Sequence, residues 1–251
     1  MLYVMSERDN SRYMPLPIRR ALRQEANFGC AHCGCPILTI HHIIPWSQVK
    51  KHDPKNMIAL CPTCAHRADM GEYNKSYLRK LKKAPHNLTV VKDAFTIQTE
   101  DIIVSLASNL YINIPNILRI DEFDIISINK EDTYPTFYVN FFDEFDNWIA
   151  IIYDNEWFVD TRDIWDIEYK PKHLIIRCKP RKISLEVEIK ENIIFMRGDL
   201  YFNGFKIEMT KNDLFLGGKS GMQIRGATFR DSSGGIGIST GFPPFTRMKY
   251  R

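Results

Sequence analysis

The chain has 251 residues, 44% hydrophobic and 12% aromatic, which is enough for one large or two modest domains with buried cores and excludes a disordered polypeptide. No apolar run approaches the roughly 18 to 20 residues that span a bilayer, and the opening MLYVMSERDNSRYM carries charge where a signal peptide needs an apolar block, so a cytoplasmic protein without a membrane is expected. The net charge of +4 conceals an asymmetry: residues 1–92 hold 15 Lys and Arg against 6 Asp and Glu, and the remainder 19 against 24, so a basic front suited to a polyanion precedes an acidic rear.

In chain order, PIRRALRQEANF (residues 17–28) places Ile18, Ala21, Leu22 and Ala26 on one face and Arg19, Arg20 and Arg23 on the other, which predicts an amphipathic helix stopped by Gly29. ILTIHHII (37–44) is rich in β-branched residues between two prolines and predicts a short strand; WSQVKKHDPKN follows as a polar loop carrying Lys50 and Lys51. MIALC reads as a second strand, after which Pro62 and Gly71 frame a short helix. Asn74 is placed to cap a further helix, NKSYLRKLKKA, whose outer face is crowded by Arg79, Lys80, Lys82 and Lys83.

Near residue 87 the texture turns from Cys, His and Lys to alternating Ile, Phe, Tyr and Trp, which divides the chain into domains 1–87 and 88–251. ISLEVEI alternates apolar and polar side chains, Asn203-Gly204 signals a tight hairpin, and runs such as TFYVNFF, NWIAIIY, HLIIRC and NIIFM recur about every ten residues. The rear is therefore expected to be all β, as a sandwich or a stacked solenoid. LGGKS (216–220) reads as a turn and not a phosphate loop, because Asp213 stands where the first glycine of that motif belongs; the tail DSSGGIGISTGFPP is expected to be loosely ordered.

Five of the six cysteines lie between Cys30 and Cys64, which is a metal-ligand pattern and not a disulfide framework. Cys30-x2-Cys33 and Cys61-x2-Cys64 supply four thiolates for a closed structural zinc site; Cys35 is an alternative to Cys33, with Gly34 favouring Cys33.

Between the pairs stand HHIIP and DPKNMIALC, and here the chain, over roughly residues 17–85, resembles the HNH (His-Asn-His) endonuclease family. The resemblance implies a small zinc-stapled ββα-metal nuclease domain and is silent on the rear; with the larger all-β domain expected there from its alternation, the chain is α+β. It makes His42 the general base and Asn56 the residue that holds the loop and orients that base. It also makes His41 a ligand of a catalytic Mg²⁺ or Mn²⁺. The family usually carries His or Asn directly after the last cysteine as the second ligand; here Ala65 stands there, and His66 and Asp69, within one turn of it, are the substitutes, His66 ahead of Asp69. Arg19, Arg20, Arg23, Lys50, Lys51, Arg79, Lys80, Lys82 and Lys83 are placed to grip phosphates without reading sequence.

The implied activity is that of a metal-dependent DNA endonuclease or nickase, in a phage-defence or restriction setting by the family's habits. The rear domain would target it, assemble it as a homo-oligomer, or hold a regulatory partner. The alternative is a zinc-stabilised nucleic-acid-binding module that no longer cleaves. His32, His52 and His86 are left without an assigned task, as surface or hydrogen-bonding residues, although His52 is close enough in sequence to approach the scissile phosphate.

Overall fold

The computed structural model describes residues 13–130 and 134–243, so the charged opening falls largely outside the described residues. The chain divides into two compact units at Val91/Lys92. Among the described residues no helix is long and apolar enough to cross a membrane.

The first unit begins with α1 (Leu16–Glu25), entered through Pro15 and Pro17. The helix ends three residues before the expected limit, and the stop is Asn27 instead of Gly29. Asn27 takes a left-handed conformation (φ 47°), its N–H donates to the Gln24 carbonyl at 3.0 Å, and the Phe28 N–H reaches back to the Arg23 carbonyl at 2.7 Å. Those two bonds are the Schellman arrangement, which satisfies carbonyls that the helix end would leave bare. Leu22 and Ala26 are buried as expected, whereas Ala21 is exposed.

Strand β1 (Thr39–His42) pairs antiparallel with β2 (Met57–Leu60), setting His41 opposite Ile58 and His42 opposite Met57. The segment read as a plain loop contains a single helical turn, α2 (Trp46–Val49), closed by Lys50 in the left-handed region. A 3-10 turn, Pro54–Asn56, then leads into β2, with the Asp53 carboxylate accepting the Lys55 N–H at 3.0 Å. Pro62 opens α3 (Pro62–Asp69), and Asn74 caps α4 (Lys75–Lys83), its side-chain oxygen accepting the Tyr77 N–H at 2.8 Å. Cys30, Ile43, Ile58, Leu60, Cys61, Cys64, Ala65, Tyr73 and Leu78 pack into one buried cluster, and Leu22, Met57 and Met14 into another, on the other side of the hairpin.

The second unit, among its described residues, contains strands and no helix. Its pairings branch from the ten-residue strand Ile193–Phe202. Residues 193–198 pair antiparallel with Leu185–Lys190 and 198–202 with Phe205–Met209, while 193–196 pair in parallel with Ile103–Leu106. Two more parallel ladders join distant segments, Thr228–Arg230 with Asn109–Ile112 and Gly234–Ile238 with Asn116–Ile120. The last of these corrects the expectation of a loosely ordered tail: the backbone polar groups of Gly234–Ile238 are satisfied by a neighbouring strand, and sequence-local patterning does not reveal a partner more than 100 residues away.

Hairpin turns supply most other connections. Asn203 and Gly204 both have positive φ (50° and 77°), as do Asp121 with Glu122 and Asp154 with Asn155, which is the two-residue turn whose twist matches paired strands. LGGKS is the turn between Leu214–Leu216 and Met222–Ile224, which pair antiparallel. At Gly198 (φ 142°) an added Cβ would lie 2.1 Å from the Ser184 carbonyl oxygen, a backbone atom that cannot swing aside. Gly198→Ala is therefore expected to lower stability by about 2 kcal/mol or more, read as a reduced urea midpoint of the full chain; an unchanged midpoint would contradict this packing.

Candidate metal centre and active site

The zinc-type centre is built from two knuckles. In the first, the Cys30 N–H donates to the Cys35 carbonyl and the Gly34 N–H to the Cys30 carbonyl, both at 2.8 Å, which turns Cys30 and Cys33 to the same side. In the second, Cys61 precedes α3 and its sulfur accepts the Cys64 N–H at 3.4 Å. The Ala31 N–H donates to the Ala59 carbonyl at 3.0 Å and ties the first knuckle to β2, which carries the second.

The ligand atoms of Cys30, Cys33, Cys61 and Cys64 all lie within 4.8 Å of one another, so the set contains Cys33 and not Cys35. Cys33 Sγ stands 3.7 Å from Cys61 Sγ and 3.8 Å from Cys64 Sγ. Four sulfurs about 2.3 Å from a central ion at tetrahedral angles are about 3.8 Å apart, so the cage fits structural Zn²⁺. Burial pushes the Cys30 thiol up to about 11 and Cys64 higher still. Cys61, despite the opposing effect of its own burial, is held below the usual thiol value by the Cys64 N–H and the surrounding thiols. Without a cation the cage holds its protons unevenly; a bound dication makes all four thiolates favourable.

The two histidines of β1 point to opposite sides, as adjacent strand residues must. His41 faces α3, its Nδ1 3.5 Å from the Asp69 carboxylate; the His41 side chain is 12% exposed and that of Asp69 69%. Burial lowers the His41 pKa and the Asp69 charge opposes that effect. An imidazole nitrogen and an open carboxylate at this separation fit a divalent cation that keeps much of its water. The structure brings Asp69 to His41 and leaves His66 exposed; among the described residues the four cysteines are the one group of three or more His, Cys, Asp or Glu whose ligand atoms converge. Arg67, a possible competitor for Asp69, instead forms a forked ion pair with Glu72 and lies over the Tyr73 ring.

His42 sits on the other side beside Trp46 and His52, each ring centroid 5.5 Å from its own. Its Nε2 is buried and has no hydrogen-bond partner among the described residues. Burial, then the neighbouring His52 and His41, lowers its pKa below the ordinary histidine value. Asn56 clamps the chain just beyond: its Oδ1 accepts the Ile44 N–H at 2.8 Å, its Nδ2 donates to the Ile44 carbonyl at 3.0 Å, and its own carbonyl accepts the Ile43 N–H at 2.9 Å. The asparagine thus fixes the backbone leaving His42, without touching the imidazole in any of these bonds.

His52 was left without a task by the sequence, yet it is only 7% exposed and stacks on Trp46 at 4.5 Å and 29°. The signal was its place just before Asp53-Pro54, where a capped 3-10 turn leads into β2. Of the basic residues, Lys50, Lys51, Arg79, Lys80 and Lys83 are exposed, and Arg19, Arg20 and Arg23 are half-buried. Lys82 is turned inward in an ion pair with Glu25 that links α4 to α1.

Residues 30–68 match the family model for HNH endonuclease, a segment that runs from the first zinc cysteine through β1, β2 and most of α3. Comparisons with curated proteins and with solved structures return no match. The matched segment contains all four cysteines of the cage, so residues 30–68 are similar to an HNH endonuclease domain and carry a cysteine cluster that could hold a metal ion.

Proposed function

We propose that the chain is a metal-dependent DNA endonuclease or nickase in which His42 is the general base and His41 with Asp69 holds the catalytic Mg²⁺ or Mn²⁺. The observation that carries this reading is the convergence of the His41 nitrogen and the Asp69 carboxylate at 3.5 Å, on a strand whose next residue is an imidazole beside an asparagine-clamped turn. Bound there, a divalent cation would stabilise the negative charge that develops on the scissile phosphate and the leaving 3′ oxygen. His42 takes the proton of the attacking water; its lowered pKa keeps the imidazole neutral and ready to accept at physiological pH. Asn56 keeps that imidazole at a fixed height above the hairpin by holding Ile44 through two bonds.

The choice of Asp69 over His66 follows from which side chain reaches His41. Ala65 does not weaken it: Asp69 lies four residues on, on the same face of α3, and its carboxylate reaches His41 where the alanine side chain cannot. A nucleic-acid substrate is favoured by the exposed Lys50, Lys51, Arg79, Lys80 and Lys83, which would contact phosphates without discriminating bases, and the similarity to HNH endonucleases points within that class to DNA.

The test is the conversion of supercoiled plasmid to open circle by the full chain with Mg²⁺ or Mn²⁺. Activity is expected with the ion, none with EDTA, and a loss on the order of 100-fold in Asp69→Ala with His66→Ala little changed. If Asp69→Ala nicks as fast as the parent and His66→Ala does not, the ligand assignment is wrong. Inertness under every metal condition supports the non-cleaving binding module instead.

A further inference from the structure

The His42 imidazole has one nitrogen sealed from solvent. Nε2 is buried without a hydrogen-bond partner among the described residues, so a proton arriving from water must be taken at Nδ1. A neutral imidazole with a lone pair on Nδ1 carries its hydrogen on Nε2, and a buried N–H without an acceptor costs about 1 to 3 kcal/mol. Two rings border His42. The Trp46 indole offers only a donor, so it cannot receive that hydrogen. His52 offers a ring nitrogen, Nδ1, which is itself buried, on a ring whose centroid is 5.5 Å from that of His42. An imidazole nitrogen lies about 1.1 Å from its ring centre, so an edge-on N–H···N bond of about 3 Å sets the centroids about 5.3 Å apart. The observed separation, with the two rings tilted by 39°, accommodates such a bond, and Trp46 stacks on His52 at 4.5 Å.

We infer that His52 is the positioning residue for His42: its Nδ1 accepts the Nε2 hydrogen of His42, fixes that tautomer and aims the Nδ1 lone pair of His42 at the attacking water. The catalytic meaning of this pair rests on the proposed nuclease reading, but the tautomer does not. This assigns a role to three ring nitrogens around the base: Nδ1 of His42 for chemistry, and Nε2 of His42 and Nδ1 of His52 for orientation, with the Trp46 ring as the wall behind them.

The experiment uses the zinc-loaded full chain labelled with ¹⁵N-histidine, with the His42 signals identified by their loss in His42→Ala. Long-range ¹H–¹⁵N spectra at neutral pH are expected to show His42 as the Nε2–H tautomer, with its Nε2 signal displaced in His52→Leu and restored in His52→Gln, whose side-chain oxygen can accept. In plasmid nicking, His52→Leu is expected to lower kcat on the order of 10- to 100-fold with KM within about twofold, and His52→Gln to recover most of it. An Nδ1–H tautomer for His42 in the parent protein, or unaltered His42 signals in His52→Leu, overturns the inference. The parent spectrum alone decides if His52→Leu fails to fold. If the parent protein does not nick at all, the nuclease reading falls while the spectra still decide the histidine pair.

Discussion

His42→Ala is expected to reduce plasmid nicking by 10²- to 10⁴-fold while leaving zinc content and thermal stability close to those of the parent chain. The kinetic part follows from geometry. His42 is the strand residue next to His41, which faces Asp69; its backbone is braced through Asn56, and no other imidazole is held in that place by β1. The stability part follows from the same environment. Truncating the ring removes its contacts with Trp46 and His52 and, with them, only the one inferred bond to His52 Nδ1, a loss of about 1 kcal/mol. Activity of the parent should fall as pH drops through the His42 pKa, which burial, His52 and His41 set below the ordinary histidine value, so the acid limb is expected below about pH 6.5. A pH–rate profile with its acid limb well above that value, or nicking by His42→Ala at parental speed, would remove His42 from the reaction.

How far the sequence carried these assignments depended on whether a residue's neighbours are local. The placement of the cysteine pairs, His41, His42 and Asn56 was legible because their motif spacing is tied to two four-residue strands and a short helix, so chain position nearly determines spatial position. The Asn74 cap and the Asn203-Gly204 turn were legible for the same reason: each acts on backbone within three residues of itself. The sequence put His66 ahead of Asp69, although both lie within a turn of Ala65; only the placement of β1 decides which one His41 meets, and it meets Asp69. His52 was harder still, because its burial comes from Trp46 and His42, on the other side of a loop that looks polar in sequence. Asp121-Glu122 and Asp154-Asn155 passed unnoticed as turns because neither contains the glycine that makes positive φ easy to recognise. In the rear unit the hairpin strands showed through period-2 alternation, whereas the parallel ladders that join residues 103–120 to 193–238 have no local signature.

Removal of the structural metal should have the largest effect on the fold of the front unit. A domain of its length is stabilised by about 4 to 12 kcal/mol in total, and binding of structural zinc is worth about 10 to 16 kcal/mol, so loss of the ion exceeds what the remaining contacts supply. Those contacts are modest: the larger buried cluster consists in part of the zinc cysteines themselves, and the second is centred on Leu22 and Met57. Cys61→Ser is the sharpest variant, because Cys61 both contributes a sulfur to the cage and caps α3 by accepting the Cys64 N–H. The parent chain is expected to contain one tightly held zinc per molecule. In Cys61→Ser, or after chelation, amide-exchange protection should vanish from Thr39–His42 and Met57–Leu60 while the strands Leu185–Lys190 and Ile193–Phe202, whose core includes Leu185, Val187 and Ile194 and, among the described residues, no metal-type cluster, keep theirs. Because β1 and β2 carry the histidines and the asparagine-braced turn, nicking and protection should disappear together. If protection of β1 and β2 survives in Cys61→Ser, the hairpin is held by its apolar contacts alone and the cage has no part in presenting His41 and His42.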